Sequence, residues 1–508
     1  MPPVQINYLD YLWILLPEVV LSVWGMLLLL VDVFQKGDRS EPSHPSVPWI
    51  ALIGIGLAAV ANAFLAGYEG STAATAGMIA LDDFRIFSNY LFLLAAALFV
   101  LVSDRYFRQE HMSLGELYVL ALFATVGMMF FAGANDLIVI FLGLEVMSVA
   151  VYVLTGLNRR DPRSGEGALK YFLLGAFSSA FFLFGIAFVY GGTASTNLTE
   201  IALAVGTDGV GANGMLLAGM ALLITGFAFK VAAVPFHMWT PDAYEGAPLP
   251  ISAFMAAGVK AAAFAAFGRV LITAMPGLYE SWGGIIAALA VLTMIVGNLV
   301  GLVQDNVKRL LAYSSIAHAG YLLVALAAGN VSGGAAFLFY MVVYTLMTIG
   351  AFAVVTAVAR EGETHLDIES YAGLGWRRPW LATAMTIFLL SLAGFPLTAG
   401  FIGKVYILRA ALEGRLAWLA VMLVLSSLVS YYYYLRIAWY MWFRESADAD
   451  AAHGPITIAT PMRVGLVIAA VAVILLFVLP DPLLDWAEQG ALDLMRTPGA
   501  VTATLIGR

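Results

Sequence analysis

Apolar segments of about 20 residues recur along the whole chain, separated by short polar connections. That length is what a helix needs to cross the hydrocarbon core of a bilayer. The pattern therefore predicts an all-α integral membrane protein with about fourteen membrane-spanning helices. We place them near residues 11–33, 48–67, 84–103, 115–132, 135–157, 166–191, 213–239, 249–275, 282–303, 308–328, 333–359, 379–412, 416–443 and 462–480.

Two of these segments, the seventh and the twelfth, are interrupted. The seventh contains Val-Pro-Phe-His after Lys230, and the twelfth contains the run Gly-Phe-Pro-Leu-Thr-Ala-Gly before Lys404. Proline lacks a backbone donor, so a break at membrane depth must face protein or a water-filled cavity. The sequence predicts discontinuous helices at both places.

Composition supports a membrane protein and excludes several functions. The chain is 62% hydrophobic and 11% charged, whereas soluble domains carry about 25% charged residues. It has no cysteine, which excludes disulfides and iron–sulfur ligation, and its six scattered histidines argue against bis-histidine haem binding. No basic run points to nucleic acid. We expect no cofactor or metal on this chain.

The basic residues indicate an orientation. With the N-terminus outside, about fifteen Lys and Arg fall on the cytoplasmic side and about six on the other, which follows the positive-inside rule. The cytoplasmic set includes Lys36, Arg39, Lys308 and Arg360. The first apolar run contains Glu18 and reads as a retained helix rather than a signal peptide. We expect a multi-pass protein of the bacterial inner membrane with both termini periplasmic.

Four lysines lie inside apolar segments, and they are the strongest candidates for chemistry: Lys170, Lys230, Lys260 and Lys404. A lysine at the centre of a membrane helix costs about 2.5–3.5 kcal/mol. Burial also favours its neutral form, so such a residue can take up and release a proton. Lys170 has a second interpretation, because Glu166 four residues earlier would form an ordinary helix-end pair with it.

A weak internal repeat supports a two-part organisation. Gly226 recurs as Gly394 and Arg269 as Arg436, at nearly the same spacing in the chain. Each repeat would hold five helices, four to eight and nine to thirteen, and an odd number forces the second copy to be inverted. The predicted parts are the N-terminal helices (1–112), the two repeats (113–278 and 279–443), and an acidic loop, last helix and tail (444–508).

Several long motifs, in the same order, resemble a known family. FKVAAVPFHMWTPDAYEGAPLPISAFMAAGVK, RLLAYSSIAHAGYLL and AGFPLTAGFIGKVYIL resemble the antiporter-like subunits of respiratory complex I and the related Mrp cation/proton antiporters. ALKYFLLGAFSSAFFLFGIAFVYG, together with a lysine at the broken twelfth helix, is most similar to the N-type (NuoN-type) subunits of NADH:quinone oxidoreductase.

The resemblance implies a proton path of named residues. The family pairs a glutamate on the fifth helix with a lysine on the seventh, and the matching residues are Glu145 and Lys230. Lys260 and Lys404 match the groups that continue the path, and His318 matches a histidine on the tenth helix that would link the two halves. His237, just after the first break, and Lys170 are supporting candidates.

The resemblance also implies partners. FMN, iron–sulfur clusters and quinone are expected on other subunits, with an M-type antiporter-like subunit on one side and small A/J/K-type membrane subunits on the other. Membrane lipid would surround the assembly. Two alternatives stay open: a subunit of an Mrp-type cation/proton antiporter, and a scaffold that transports nothing.

Overall fold

The computed structural model describes residues 8–35, 44–68, 75–112, 114–206, 213–359, 361–445 and 458–496, and in these ranges it is helical. Extended residues there form only isolated bridges. The helices are α1 (Tyr8–Ile14), α2 (Leu16–Gln35), α3 (Val47–Ala66), α4 (Asp83–Gln109), α5 (Leu114–Gly133), α6 (Leu137–Thr155), α7 (Pro162–Thr193), α8 (Leu198–Val205), α9 (Gly214–Lys230), α10 (Trp239–Gly246), α11 (Leu249–Phe254), α12 (Lys260–Arg269), α13 (Tyr279–Leu302), α14 (Val307–Ala327), α15 (Val331–Val358), α16 (Leu374–Arg377), α17 (Pro379–Ala393), α18 (Ala399–Glu413), α19 (Ala417–Phe443), α20 (Thr460–Val478) and α21 (Asp481–Met495).

The prediction of an all-α membrane protein is confirmed. In the part of the chain that the structure describes, 12 helical segments are long and apolar enough to cross a membrane. Two shorter apolar helices, α9 and α17, lie at the interrupted segments. In each of these segments a second helix follows after a turn, α10 after α9 and α18 after α17.

The two breaks lie where the sequence places proline and glycine, and their freed backbone groups find partners. At the first, the indole of Trp239 donates to the carbonyl of Phe229 at 3.0 Å. At the second, Gly394 ends α17 with a positive φ of 83°, which a residue without a side chain adopts at little cost. Because lipid offers no hydrogen-bond partner to these atoms, each break has to face protein or a water-filled cavity.

The helices around α12 form the centre of the molecule. Nearly all residues of the segment Leu249–Ala274 are buried, as are nearly all residues of α14 and α15, whereas most residues in the spans of α2, α3 and α20 are not buried. Two π-helical turns, Met255–Val259 and Val270–Ala274, flank α12. Such turns occur often at functional positions, and Lys260 directly follows the first of them.

Some expectations fall outside the described residues. These are Lys36, Arg39 and Arg360, used in the charge count, most of the acidic loop (446–457) and the tail beyond residue 496.

Candidate functional site

Lys230 is the last residue of α9 and is buried beside α6. Its ammonium donates to the hydroxyls of Ser148 at 2.8 Å and Tyr152 at 3.1 Å. It also lies 5.3 Å from the ring centre of Tyr152 and 5.9 Å from that of Tyr171. Hydroxyl oxygens, aromatic faces and the negative end of a helix all stabilise a cation. The site is therefore built to hold a protonated lysine without a carboxylate in contact.

Glu145 lies on α6, nearly one turn before Ser148, and is partly exposed. Its carboxylate accepts a hydrogen bond of 2.5 Å from Ser179 on α7. Among the described residues no ion pair joins Glu145 to Lys230. Ser148 accepts the hydrogen bond from Lys230. It is also the polar residue of α6 that follows Glu145 most closely on the same side of the helix. In this conformation the pair implied by the family resemblance is not in direct contact.

Lys260 is buried at the start of α12 and bonds a single residue of α14. Its ammonium donates to the carbonyl of Ser315 at 2.8 Å and also to the hydroxyl of that serine. The hydroxyls of Tyr244 and Tyr344 are neighbours of the same serine side chain. Ser315 is thus a point at which α10, α12, α14 and α15 meet.

His318 lies on α14, three residues after Ser315, and has no solvent exposure. Its Nε2 is 3.1 Å from the hydroxyl of Tyr434, and its Nδ1 is 2.8 Å from the hydroxyl of Tyr340. The ring also packs edge-on against Tyr321. The imidazole is held from three sides.

Lys404 lies on α18 but reaches back across the second break. Its ammonium donates to the carbonyls of Leu392 at 3.1 Å and Ala393 at 2.7 Å, both at the end of α17. It lies 4.6 Å from the ring centre of Tyr321. Lys404 therefore also sits at the negative end of a half-helix, although it belongs to the helix that follows.

The supporting candidates, Lys170 and His237, are more exposed than Lys230, Lys260, His318 and Lys404. Lys170 is 45% exposed and pairs with Glu166 at 2.7 Å, so the expected helix pair is present. It also pairs with Asp242 at 2.8 Å. The expectation that Lys170 is buried among apolar residues is wrong. His237 is partly exposed in the turn after α9, where its carbonyl accepts from the amide of Thr240.

One further lysine, Lys308, is buried although the sequence pattern does not predict it. We placed it on the cytoplasmic face, yet it has no exposed surface and donates to the carboxylate of Glu363 at 2.5 Å. It also donates to the carbonyls of Glu245 and Ala247. The adjacent Arg309 and the position at a helix start give Lys308 the pattern of an interfacial residue, so hydropathy carries no signal for its burial.

Buried arginines were missed as well. Arg85 and Glu18 form a 2.8 Å ion pair in which each side chain is 1% exposed. Arg269 is 2% exposed and binds both carboxylate oxygens of Asp82, the residue that caps α4. Glu18, for which the sequence suggested no role, is thus a buried structural counter-ion.

The buried lysines therefore differ in their partners. Lys308 faces a carboxylate, whereas the described partners of Lys230, Lys260 and Lys404 are hydroxyl and carbonyl oxygens and aromatic rings. A buried ammonium without an anion in contact can lose its proton at lower cost than one in an ion pair. In the described part of the chain, no cluster of three or more His, Asp and Glu side chains fits a metal.

Comparison with known proteins defines the class first. The sequence model of the family described as "NADH:quinone oxidoreductase/Mrp antiporter, TM" matches residues 134–430, a range that contains Glu145, Lys230, Lys260, His318 and Lys404. The chain belongs to this family of antiporter-like membrane proteins.

Individual relatives define the type within the family. The chain is 49% identical to NADH-quinone oxidoreductase subunit N of Trichlorobacter lovleyi, over 94% of this chain and 96% of the relative. A chain of respiratory complex I from Thermus thermophilus is 34% identical, with a TM-score of 0.78 and coverage of 93% and 99%. A chain of an archaeal membrane-bound sulfane sulfur reductase is 25% identical, with a TM-score of 0.82 and coverage of 98% and 99%. The chain is of the subunit N type.

Proposed function

We propose that this chain translocates protons across the membrane as the N-type subunit of an NADH:quinone oxidoreductase, and that it carries no redox centre itself. The path runs near the membrane midplane through Glu145, Lys230, Lys260, His318 and Lys404. The energy comes from quinone reduction in partner subunits.

One observation carries the proposal: three buried lysines have neutral oxygen partners, while the fourth is fixed in an ion pair. Transient approach of an acid would bias whether such a lysine keeps its proton. A carboxylate about 7 Å from the ammonium, at an effective dielectric constant near 20, interacts with it by about 2.4 kcal/mol. We propose that Glu145 acts on Lys230 in this way.

Two inverted five-helix repeats, within about fourteen spans, would give the path its symmetry. The support is a matched pair of backbone bridges. Asp136 bridges to Asn197, and Asn306 bridges to Asp367, with equal separations along the chain. Asp136 and Asn306 also cap the following helices, α6 and α14. The two lysines at the breaks, Lys230 and Lys404, would then serve the two halves.

The partners follow from the same proposal. FMN, iron–sulfur clusters and quinone would lie on other subunits, an M-type subunit would contact one side of this chain, and small A/J/K-type subunits the other. The assembly would lie in a bacterial inner membrane with both termini of this chain in the periplasm. Lys170 and His237 would act at the margins of the path.

The test is the substitution Lys230→Met in the assembled complex, measured in sealed vesicles as protons translocated and as NADH:quinone reductase rate. We expect proton translocation to fall by about tenfold or more, because a group that accepts and donates the proton is removed. Arg409→Met is the control: the removal of a cation at a 64% exposed position of α18 should leave most of the translocation.

The alternatives give different results. Unchanged translocation in Lys230→Met and in Glu145→Gln would contradict the proposal and favour a scaffold. Sodium-dependent proton exchange by the isolated chain, without flavin and iron–sulfur absorbance in the native complex, would favour an Mrp-type antiporter subunit.

A further inference from the structure

The surroundings of His318 are unusual in that tyrosine hydroxyls occupy both ring nitrogens. Tyr434 comes from α19 and Tyr340 from α15, while His318 is on α14. All three side chains are fully buried. Each tyrosine is thus supplied by a helix remote in sequence from the other.

Hydrogen-bond chemistry gives this arrangement a direction. A neutral imidazole has one N–H donor and one acceptor nitrogen, and each hydroxyl can both donate and accept. One tyrosine therefore donates to His318 while the other accepts from it. Exchange of the imidazole tautomer reverses both hydrogen bonds without leaving a charge behind.

Tyr434, His318 and Tyr340 form a hydrogen-bonded series, here called the string, which extends toward a lysine at each end. The Tyr434 hydroxyl also pairs with that of Ser314, which adjoins Ser315, the partner of Lys260. At the other end, the ring of Tyr340 lies against Gly403, the residue before Lys404. Tyr434 thus bonds the residue next to the partner of Lys260, and Tyr340 packs against the residue next to Lys404, while the two lysines have no direct contact among the described residues.

We propose that Tyr434 and Tyr340 are relay residues that pass a proton between Lys260 and Lys404 through His318; this inference rests on the proposed function. A proton released by Lys260 reaches the Tyr434 hydroxyl, and Tyr434 gives its own proton to one ring nitrogen. The other nitrogen gives its proton to Tyr340, whose proton passes to neutral Lys404. Each intermediate group gains one proton and loses one, so Lys260 ends neutral and Lys404 ends charged.

The test removes single hydroxyls. Tyr434→Phe and Tyr340→Phe each break the string and keep the ring. Tyr118→Phe is the matched control, because Tyr118 is equally buried but its hydroxyl pairs with that of Ser103 on α4 at 3.0 Å. All three are measured in the assembled complex for protons translocated per NADH oxidised, for quinone reductase rate and for amount of assembled complex.

We expect Tyr434→Phe and Tyr340→Phe to lower proton translocation by about tenfold, with normal assembly, while Tyr118→Phe keeps it. The two relay variants are independent, so one still decides the outcome if the other does not assemble. If both translocate as well as Tyr118→Phe while Lys230→Met does not, the relay is overturned and the proposed function stands. If Lys230→Met itself translocates normally, both proposals fall.

Discussion

The lysines of this chain are distinguished at the scale of single residues by what their ammonium groups touch. Lys308 and Lys260 are both buried, but the first contacts a carboxylate and the second a serine. Breaking a buried ion pair leaves an uncompensated charge, so the contact of Lys308 with its carboxylate is costly to break. Hydroxyl and carbonyl partners leave the protonation state of Lys260 responsive to nearby charges.

Gly394 controls the position of Lys404. A Cβ added at residue 394 would lie 2.7 Å from Cδ of Lys404, and the φ of 83° disfavours any side chain. We expect Gly394→Ala to destabilise the protein by about 1–3 kcal/mol and to lower proton translocation because Lys404 is displaced. Thermal unfolding and vesicle translocation measure the two effects. Gly284→Ala, at a glycine of α13 with open space around it, is the control; it should leave translocation unchanged and should not destabilise the protein.

Ser148 is the residue through which α6 holds Lys230. We expect Ser148→Ala to lower proton translocation and to shift its pH profile, because the ammonium of Lys230 loses one of its two hydroxyl acceptors. The measurement is translocation against pH in sealed vesicles. Ser430→Ala removes an equally buried hydroxyl that bonds only a local carbonyl, and its profile should match that of the unaltered protein. Identical profiles for both variants would show that Ser148 does not act on Lys230.

At the scale of elements, the two breaks share one feature: each places a lysine ammonium at the carboxyl end of a helix. Lys230 ends α9, and Lys404 reaches the end of α17, so both ammonium groups lie at the negative ends of half-helices. The sequence predicted both breaks from proline and glycine. It did not show that Lys404 would reach backwards, since that depends on the turn between α17 and α18.

Asp82 joins two elements, because it caps α4 and binds Arg269 at the end of α12. Burial by itself raises the pKa of the Asp82 carboxyl, but the Arg269 guanidinium outweighs it and holds this pKa below its usual value. The ion pair therefore adds stability above about pH 4, and this contribution is lost as the pH falls through the lowered pKa.

We expect Asp82→Asn to lower the free energy of unfolding by about 3 kcal/mol at neutral pH, because Arg269 is left buried without its anion. The difference from the unaltered protein should shrink in acid. Thermal unfolding at neutral and acidic pH measures it. Asp305→Asn is the control, because its carboxylate is 76% exposed and its pair with Arg436 contributes at most about 1 kcal/mol. An equal effect of the two substitutions would contradict this account.

At the scale of the whole molecule, Glu363 connects distant parts of the chain. Its carboxylate accepts from Lys308 on α14, from the hydroxyl of Tyr106 on α4 at 2.5 Å and from the amide of Leu249 on α11 at 2.7 Å. These contacts close one end of the bundle around the segment that carries Lys260.

We expect Glu363→Gln to destabilise the protein by about 3–5 kcal/mol, because it leaves the Lys308 ammonium buried without an anion. The loss should appear as a lower unfolding temperature of the purified protein. Glu361→Gln, two residues earlier and exposed, is the control and should unfold like the unaltered protein. Translocation per assembled complex should change less than in Lys230→Met, since Lys308 is not on the proposed path.

The sequence by itself determined the helical membrane architecture, the two breaks, and the burial of Lys230, Lys260 and Lys404. Hydropathy and the missing backbone donor of proline are local properties of each segment. The bilayer requires a sufficient apolar length and satisfied backbone groups in every segment separately. Only the tertiary structure decided that Lys170 is exposed and Lys308 buried, and that His318 meets Tyr340 and Tyr434. Those outcomes depend on contacts between helices far apart in the chain, and the free energy of a buried charge is set by the groups that these contacts place around it.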